Sequence, residues 1–204
     1  MTLLSAMALT GAMFLLAVSP GPGLFAVISR ALANGFYHAS VVVAGLILGD
    51  IIYLLMAIYG LNAVASMMGE FFIIIKYIGG IYLLYLGYKI WVSEVKDVKV
   101  DAVDEISWSS NFFSGLLITL GNPKVIIFYL GFLPAFMNLE ILSSLDVLFA
   151  VMIVATVLAV VILTYAYLAS KSRKFFTTKS SINKLNKISG GVMIGAGSLL
   201  VLKS

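Results

Sequence analysis

Two ionisable side chains lie deep inside apolar sequence: Asp50 within VVVAGLILGDIIYLLMAIYG, and Lys124 within NFFSGLLITLGNPKVIIFYL. A carboxylate and an ammonium group in such surroundings can form a silent ion pair, relay a proton, or hold the two charged ends of a zwitterion. A lysine at bilayer depth costs at least ~2.5 kcal/mol on insertion scales, so it must face the protein interior and find a partner. Each residue lies about 12 positions into its apolar block, roughly 18 Å at 1.5 Å per residue. Both blocks are entered from the same side, so the two charges are expected at one level, as a pair that opens to admit a solute. Lys124 would take a carboxylate, and Asp50 an ammonium group or a coupling proton. Tyr53, three residues on, shares a helix face with Asp50 and is expected to hydrogen-bond to it.

Backbone chemistry points to the same depth. Ser19-Pro20-Gly21-Pro22-Gly23 and Gly121-Asn122-Pro123-Lys124 interrupt two apolar blocks. Proline has no amide hydrogen and clashes with the preceding turn, so these motifs predict unwound helix. The freed carbonyls need partners, and bare backbone in the bilayer is tolerated only against protein or a wet cavity. The candidate substrate-binding set is therefore Ser19, Pro20, Gly21, Pro22, Gly23, Asp50, Tyr53, Asn122, Pro123 and Lys124. Gly115, Thr119 and Asn122 recur on one small polar face that could line a path.

The elements that carry these residues follow from composition. Of 204 residues, 62% are hydrophobic and 11% charged, with mean hydropathy +1.11. Soluble domains carry about 25% charged residues, so this chain cannot cover a water-soluble globule. Apolar blocks run from Leu3 to Ser29, His38 to Leu61, Phe71 to Trp91, Phe112 to Leu133, Leu145 to Ala169 and Ile188 to Leu202, the last starting nearer Lys184. About 20 apolar residues cross a bilayer, which gives an all-α membrane protein of six transmembrane helices. Met1–Val18 lacks a basic start and reads as a retained first helix, not a signal peptide.

Lys and Arg place those helices. The connections after blocks one, three and five hold Arg30, Lys89, Lys96, Lys99, Lys171, Arg173, Lys174, Lys179, Lys184 and Lys187, against Lys76 and Lys203 on the other side. The positive-inside rule puts the basic loops in the cytoplasm and both termini outside. Trp91, Tyr88 and Trp108 fall near the cytoplasmic edge.

A broken block followed by a Gly-Gly pair occurs twice, as Pro20 then Gly79-Gly80 and as Pro123 then Gly190-Gly191, at similar spacing. This predicts two three-helix repeats, residues 1–92 and 111–204, joined by a polar cytoplasmic linker, 93–110. Three being odd, the second copy enters the membrane from the opposite side. Interrupted segments at matching positions of inverted repeats point to a transporter's binding site.

Other features are weaker. There are no cysteines and one histidine, His38, so neither a metal nor a cofactor site is expected, and no nucleic-acid motif accompanies the net charge of +4. Gly45–Gly49 and Gly191–Gly195 have the spacing of close helix contacts. Tyr82, Tyr85 and Tyr88 read as packing.

The Ser-Pro-Gly-Pro motif, the Asn-Pro-Lys motif and six spans in about 200 residues resemble the LysE (lysine exporter)/RhtB (homoserine and threonine resistance) family. The resemblance covers nearly the whole chain. It implies a proton-driven antiporter that exports amino acids or related metabolites from the inner (plasma) membrane, assembled as a homodimer. Gly49-Asp50 resembles the family's Gly-rich second span. Many members carry Asp or another polar residue after the second proline, where this chain has Gly23, which shifts the coupling role toward Asp50. The alternatives are a passive small-solute channel, which needs a continuous polar path, an intramembrane enzyme, for which no Ser-His or paired-Asp set exists, and a structural subunit, in which buried charges have no purpose.

Overall fold

The computed structural model describes residues 1–60, 77, 81, 84–85, 87–89, 91–92, 107–137, 142–171 and 179–202, and every regular element among them is helical. Helix α1 spans Leu3–Val18 and is capped by Thr2, whose Oγ1 accepts the Ser5 amide at 3.2 Å. It stops at Ser19-Pro20-Gly21, where proline supplies no amide to continue the ladder.

Helix α2 spans Pro22–Leu55, with Pro22 in the first turn, and runs on as a π turn at Met56–Gly60. Gly35 inside it has φ 82°, a conformation that glycine adopts without steric cost. The chain folds back there. A straight helix would separate Gly23 from Leu46 by about 35 Å, yet a methyl group built on Gly23 would meet Leu46 Cδ2 at 3.0 Å. So α2 is a hairpin of two arms, residues 22–34 and 36–55. The sequence placed a connection between Ser29 and His38; the structure narrows it to one glycine.

Helix α3 spans Trp108–Leu120 and α4 Pro123–Ile127, followed by a π turn at Phe128–Phe132 and by α5 at Leu133–Phe136. The chain bends by 52° between α3 and the segment Pro123–Gly131. Helix α6 spans Ser144–Lys171. Its first turn is closed reciprocally: Asp146 Oδ2 accepts the Ser143 amide at 3.0 Å and the Asp146 amide reaches Ser143 Oγ at 3.3 Å, the logic of a capping box. The Met1 ammonium group pairs with the same carboxylate, which ties the start of the chain to the start of α6. Helix α7 spans Lys179–Leu202, starting earlier than the Ile188 and Lys184 expected from hydropathy.

The α2 hairpin packs against α3 and α6, and α1 against α6. The second arm of α2 and α3 run side by side in the same direction, because each offers glycine where the other offers backbone. A methyl group on Gly45 would lie 2.0 Å from the Phe112 carbonyl oxygen, and one on Gly115 2.1 Å from that of Val42. Small residues of this kind let membrane helices approach closely. Gly49 continues the contact against Thr119, as its spacing predicted. Of the pair Gly191 and Gly195, the first lies against the Trp91 ring and the second has nothing within 4 Å.

Met13, Val27, Leu54, Val154 and Ala166 are fully buried, while Leu3, Leu4, Phe14, Leu145, Phe149, Met152 and Val160 face outward. So much exposed apolar surface fits lipid and not water. Among the described residues, Pro22–Gly60, folded back at Gly35, and Ser144–Lys171 have the length and apolar character of bilayer-spanning sequence, and the pair Trp108–Leu120 and Pro123–Gly131, bent by 52°, is a broken span or a re-entrant loop. This is a membrane protein. Gly79, Gly80, Tyr82 and residues 93–106 of the expected linker lie outside the described residues.

Candidate functional site

The break after α1 leaves helix-end carbonyls without intrahelical partners, as every helix C-terminus does. Lys124 supplies them: its Nζ donates to the carbonyls of Leu16 and Ser19, both at 2.9 Å. The ammonium group, buried to 5% exposure, thus sits at the negative end of the α1 dipole, where a cation is stabilised. Lys124 is itself aimed by the second break. Pro123 opens α4 in the first turn, and the Asn122 side chain accepts the Lys124 amide at 3.1 Å, the usual bond of an Asn cap.

Asp50, 4% exposed, faces the same space from the second arm of α2. The expected ion pair is not made. Among the described residues, Met1 with Asp146 is the sole ion pair. Lys124 instead donates to the two helix-end carbonyls and acts on Asp50 through space. The Tyr129 hydroxyl lies beside the Asp50 carboxylate and 3.7 Å from Met13 Sδ. Asp50 Oδ1 is buried with no hydrogen-bond partner, a costly condition for a carboxylate oxygen.

Tyr53 departs from its expected role. Its hydroxyl donates to the Leu120 carbonyl at 2.5 Å, so it satisfies the end of α3 at the second break and not Asp50. The polar face of α3 also divides. Thr119 Oγ1 donates to the Leu46 carbonyl at 3.3 Å and, with Asn122, borders the site, whereas Gly115 serves the helix contact. Ser19 turns its hydroxyl back to Leu16 O at 3.0 Å, so its carbonyl and not its hydroxyl meets Lys124.

These groups enclose a cavity of about 50 Å³, room for a few waters at ~10–15 Å³ each. Its polar border is Ser19, Asp50, Thr119, Asn122 and Lys124, with Gly21 and Gly23; aliphatic side chains of Leu16, Leu24, Leu46, Val125, Leu158 and Ile162 complete it. Of the residues singled out in the sequence, Ser19, Gly21, Gly23, Asp50, Asn122 and Lys124 come together here. Pro20, Pro22 and Pro123 shape the breaks without lining the cavity.

Tyr129 was missed, and its position explains why. In a regular α-helix the neighbours of Lys124 on one face are three and four residues on. Tyr129, the fifth residue on, lies within the π turn at Phe128–Phe132 and meets Asp50 nonetheless. Such turns are frequent at functional sites, but no residue type announces them. Among the described residues, no group of three His, Asp or Glu side chains is placed to hold a metal ion.

The sequence pattern of the LysE type translocators matches residues 14–204. An uncharacterized membrane protein of Synechocystis sp. is 39% identical over 97% of this chain and 96% of its own length. A leucine efflux protein of Salmonella choleraesuis is 30% identical, and one of Klebsiella pneumoniae 29%, each over 96% of this chain and 94% of its own length. No solved structure matches.

Proposed function

The chain belongs to the LysE type translocator family, and on that premise we propose that it exports a small aliphatic amino acid, such as leucine, in exchange for protons. One observation carries the reading: a buried ammonium group and a buried carboxylate border a single cavity, and one oxygen of that carboxylate has no partner. The Lys124 ammonium takes the solute's carboxylate in place of a helix-end carbonyl. Asp50 takes its ammonium group, or a proton when the site is empty. The aliphatic walls from Leu24, Leu46, Leu158 and Ile162 suit a branched side chain. The efflux proteins among the relatives are named for leucine, in keeping with those walls.

At about 50 Å³ the cavity is too small for an amino acid in this arrangement, so loading requires the broken helices to move. Rocking of two inverted halves, residues 1–92 and 111–204, supplies such a movement. Support for the repeat comes from the breaks, each of which restarts its helix with proline in the first turn, Pro22 after Gly21 and Pro123 after Asn122. Support for six spans in the plasma membrane with both termini outside comes from the Lys and Arg distribution and from Met1 meeting Asp146 at the start of α6. A homodimer rests on family resemblance alone.

The test is counterflow of radiolabelled leucine in proteoliposomes of the purified chain. Exchange that is driven by an imposed proton gradient and collapsed by an uncoupler is expected. Leucine movement indifferent to the proton gradient removes the coupling, and no movement of any aliphatic amino acid removes the exporter.

A further inference from the structure

A second cavity, larger at about 200 Å³, lies between the two arms of α2 and α3, and Arg30, Ser29, Ser114, Val42 and Ile118 are among its walls. We propose that it is the loading vestibule, in which Arg30 takes the carboxylate of the amino acid before the solute passes a Leu46–Ile118 constriction to reach Lys124. The inference rests on the export reading above and on its orientation, with Gly35 toward the cytoplasm.

Placement argues first. Gly23, Ala26, Arg30 and Ala33 follow one another at helical spacing on one face of the first arm, so the face that begins at the Lys124 cavity ends at Arg30. Val42 stands one turn from Leu46 toward Gly35, and Ser114 one turn from Ile118. The two cavities are therefore consecutive along the same three helices. Between them, the position left open by the missing side chain of Gly23 is filled by Leu46 Cδ2 at 3.0 Å and Ile118 Cγ2 at 3.9 Å from where a methyl group would stand. These are ends of flexible aliphatic side chains, able to swing aside where backbone could not.

Chemistry argues next. An arginine that served only to orient the span would turn to headgroups and water. Arg30 instead is partly buried and borders the cavity. Nη1 holds Asn34 Oδ1 at 3.0 Å, which braces a planar fork of five N–H donors suited to a carboxylate. The remaining walls are small or aliphatic, which admits an apolar side chain.

The chain contains no cysteine, so a single introduced one reports cleanly. In proteoliposomes, Arg30→Gln is expected to raise the half-saturating leucine concentration about tenfold, with maximal rate changed less than about twofold. Arg30→Lys restores part of the loss. Ser114→Cys is expected to react with a membrane-impermeant maleimide from the Gly35 side, more slowly when leucine is present. Normal leucine transport with an unaltered half-saturation in Arg30→Gln overturns the vestibule and leaves export standing. Labelling of Ser114→Cys that leucine does not slow also overturns it. Absence of transport by the unsubstituted chain removes the export reading beneath it.

Discussion

The two proline breaks share a frame and differ in what fills it. After α1, Gly21 precedes Pro22 and Gly23 follows; after α3, Asn122 precedes Pro123 and Lys124 follows. The first break therefore offers helix-end carbonyls and residues without side chains, and the second a capped helix start and a cation. The cation of the second fills the carbonyls of the first. The two breaks form a complementary pair, and one ammonium group both meets a helix end and is the positive pole of the cavity.

The comparison breaks most completely at Lys124. Lys124→Met is expected to abolish efflux and, by leaving the buried Ser19 carbonyl without its donor while Leu16 O keeps only the Ser19 hydroxyl, to cost about 1–3 kcal/mol of stability. Thermal unfolding in detergent and proteoliposome flux measure the two effects. Moving the charge to the matching position, as Gly23→Lys with Lys124→Gly, should not restore flux, because Leu46 and Ile118 occupy the space at Gly23. Restored flux would make the two breaks interchangeable and refute the asymmetry.

Asp50→Asn keeps shape and removes charge. Efflux should fall more than about 100-fold with the fold retained, since a buried ionisable residue within a membrane span is kept for function. Leucine exchange near the normal rate would make Asp50 structural.

Gly115→Leu forces a side chain against the Val42 carbonyl and should cost about 1–3 kcal/mol or more, read as a lower unfolding temperature. Gly11, with open space around its position, is the control: Gly11→Ala should leave that temperature unchanged.

The smallest effects sharpen the comparison instead of breaking it. Tyr53→Phe frees the Leu120 carbonyl at the second break and should cost about 1 kcal/mol. Ser19→Ala, whose hydroxyl bonds only within its own helix, should stay within about 0.5 kcal/mol. Equal effects from the two would show that the hydroxyls do not distinguish the breaks.

Much of this was legible in the sequence. Apolar blocks, buried Asp50 and Lys124, and two proline motifs follow from residue types, because burial of polar groups in lipid is costly enough to make each exception informative. Even the prediction that the freed carbonyls need partners is met, though by a residue the sequence had assigned to Asp50. Tyr53 illustrates the opposite case. Its helix face was correctly placed near Asp50, but the Leu120 carbonyl of another helix lay within reach, and local spacing carries no knowledge of that neighbour.

What the sequence by itself determined was the solvent, the helical class and the burial of the two charges, all consequences of local composition. The tertiary structure alone decided which partner each group meets. It turned the chain at Gly35, pressed α2 onto α3 through Gly45 and Gly115, set Lys124 on α1, and placed Tyr129 beside Asp50. Those choices depend on helix contacts between distant segments, where a single hydrogen bond in an apolar interior outweighs any preference written into neighbouring residues.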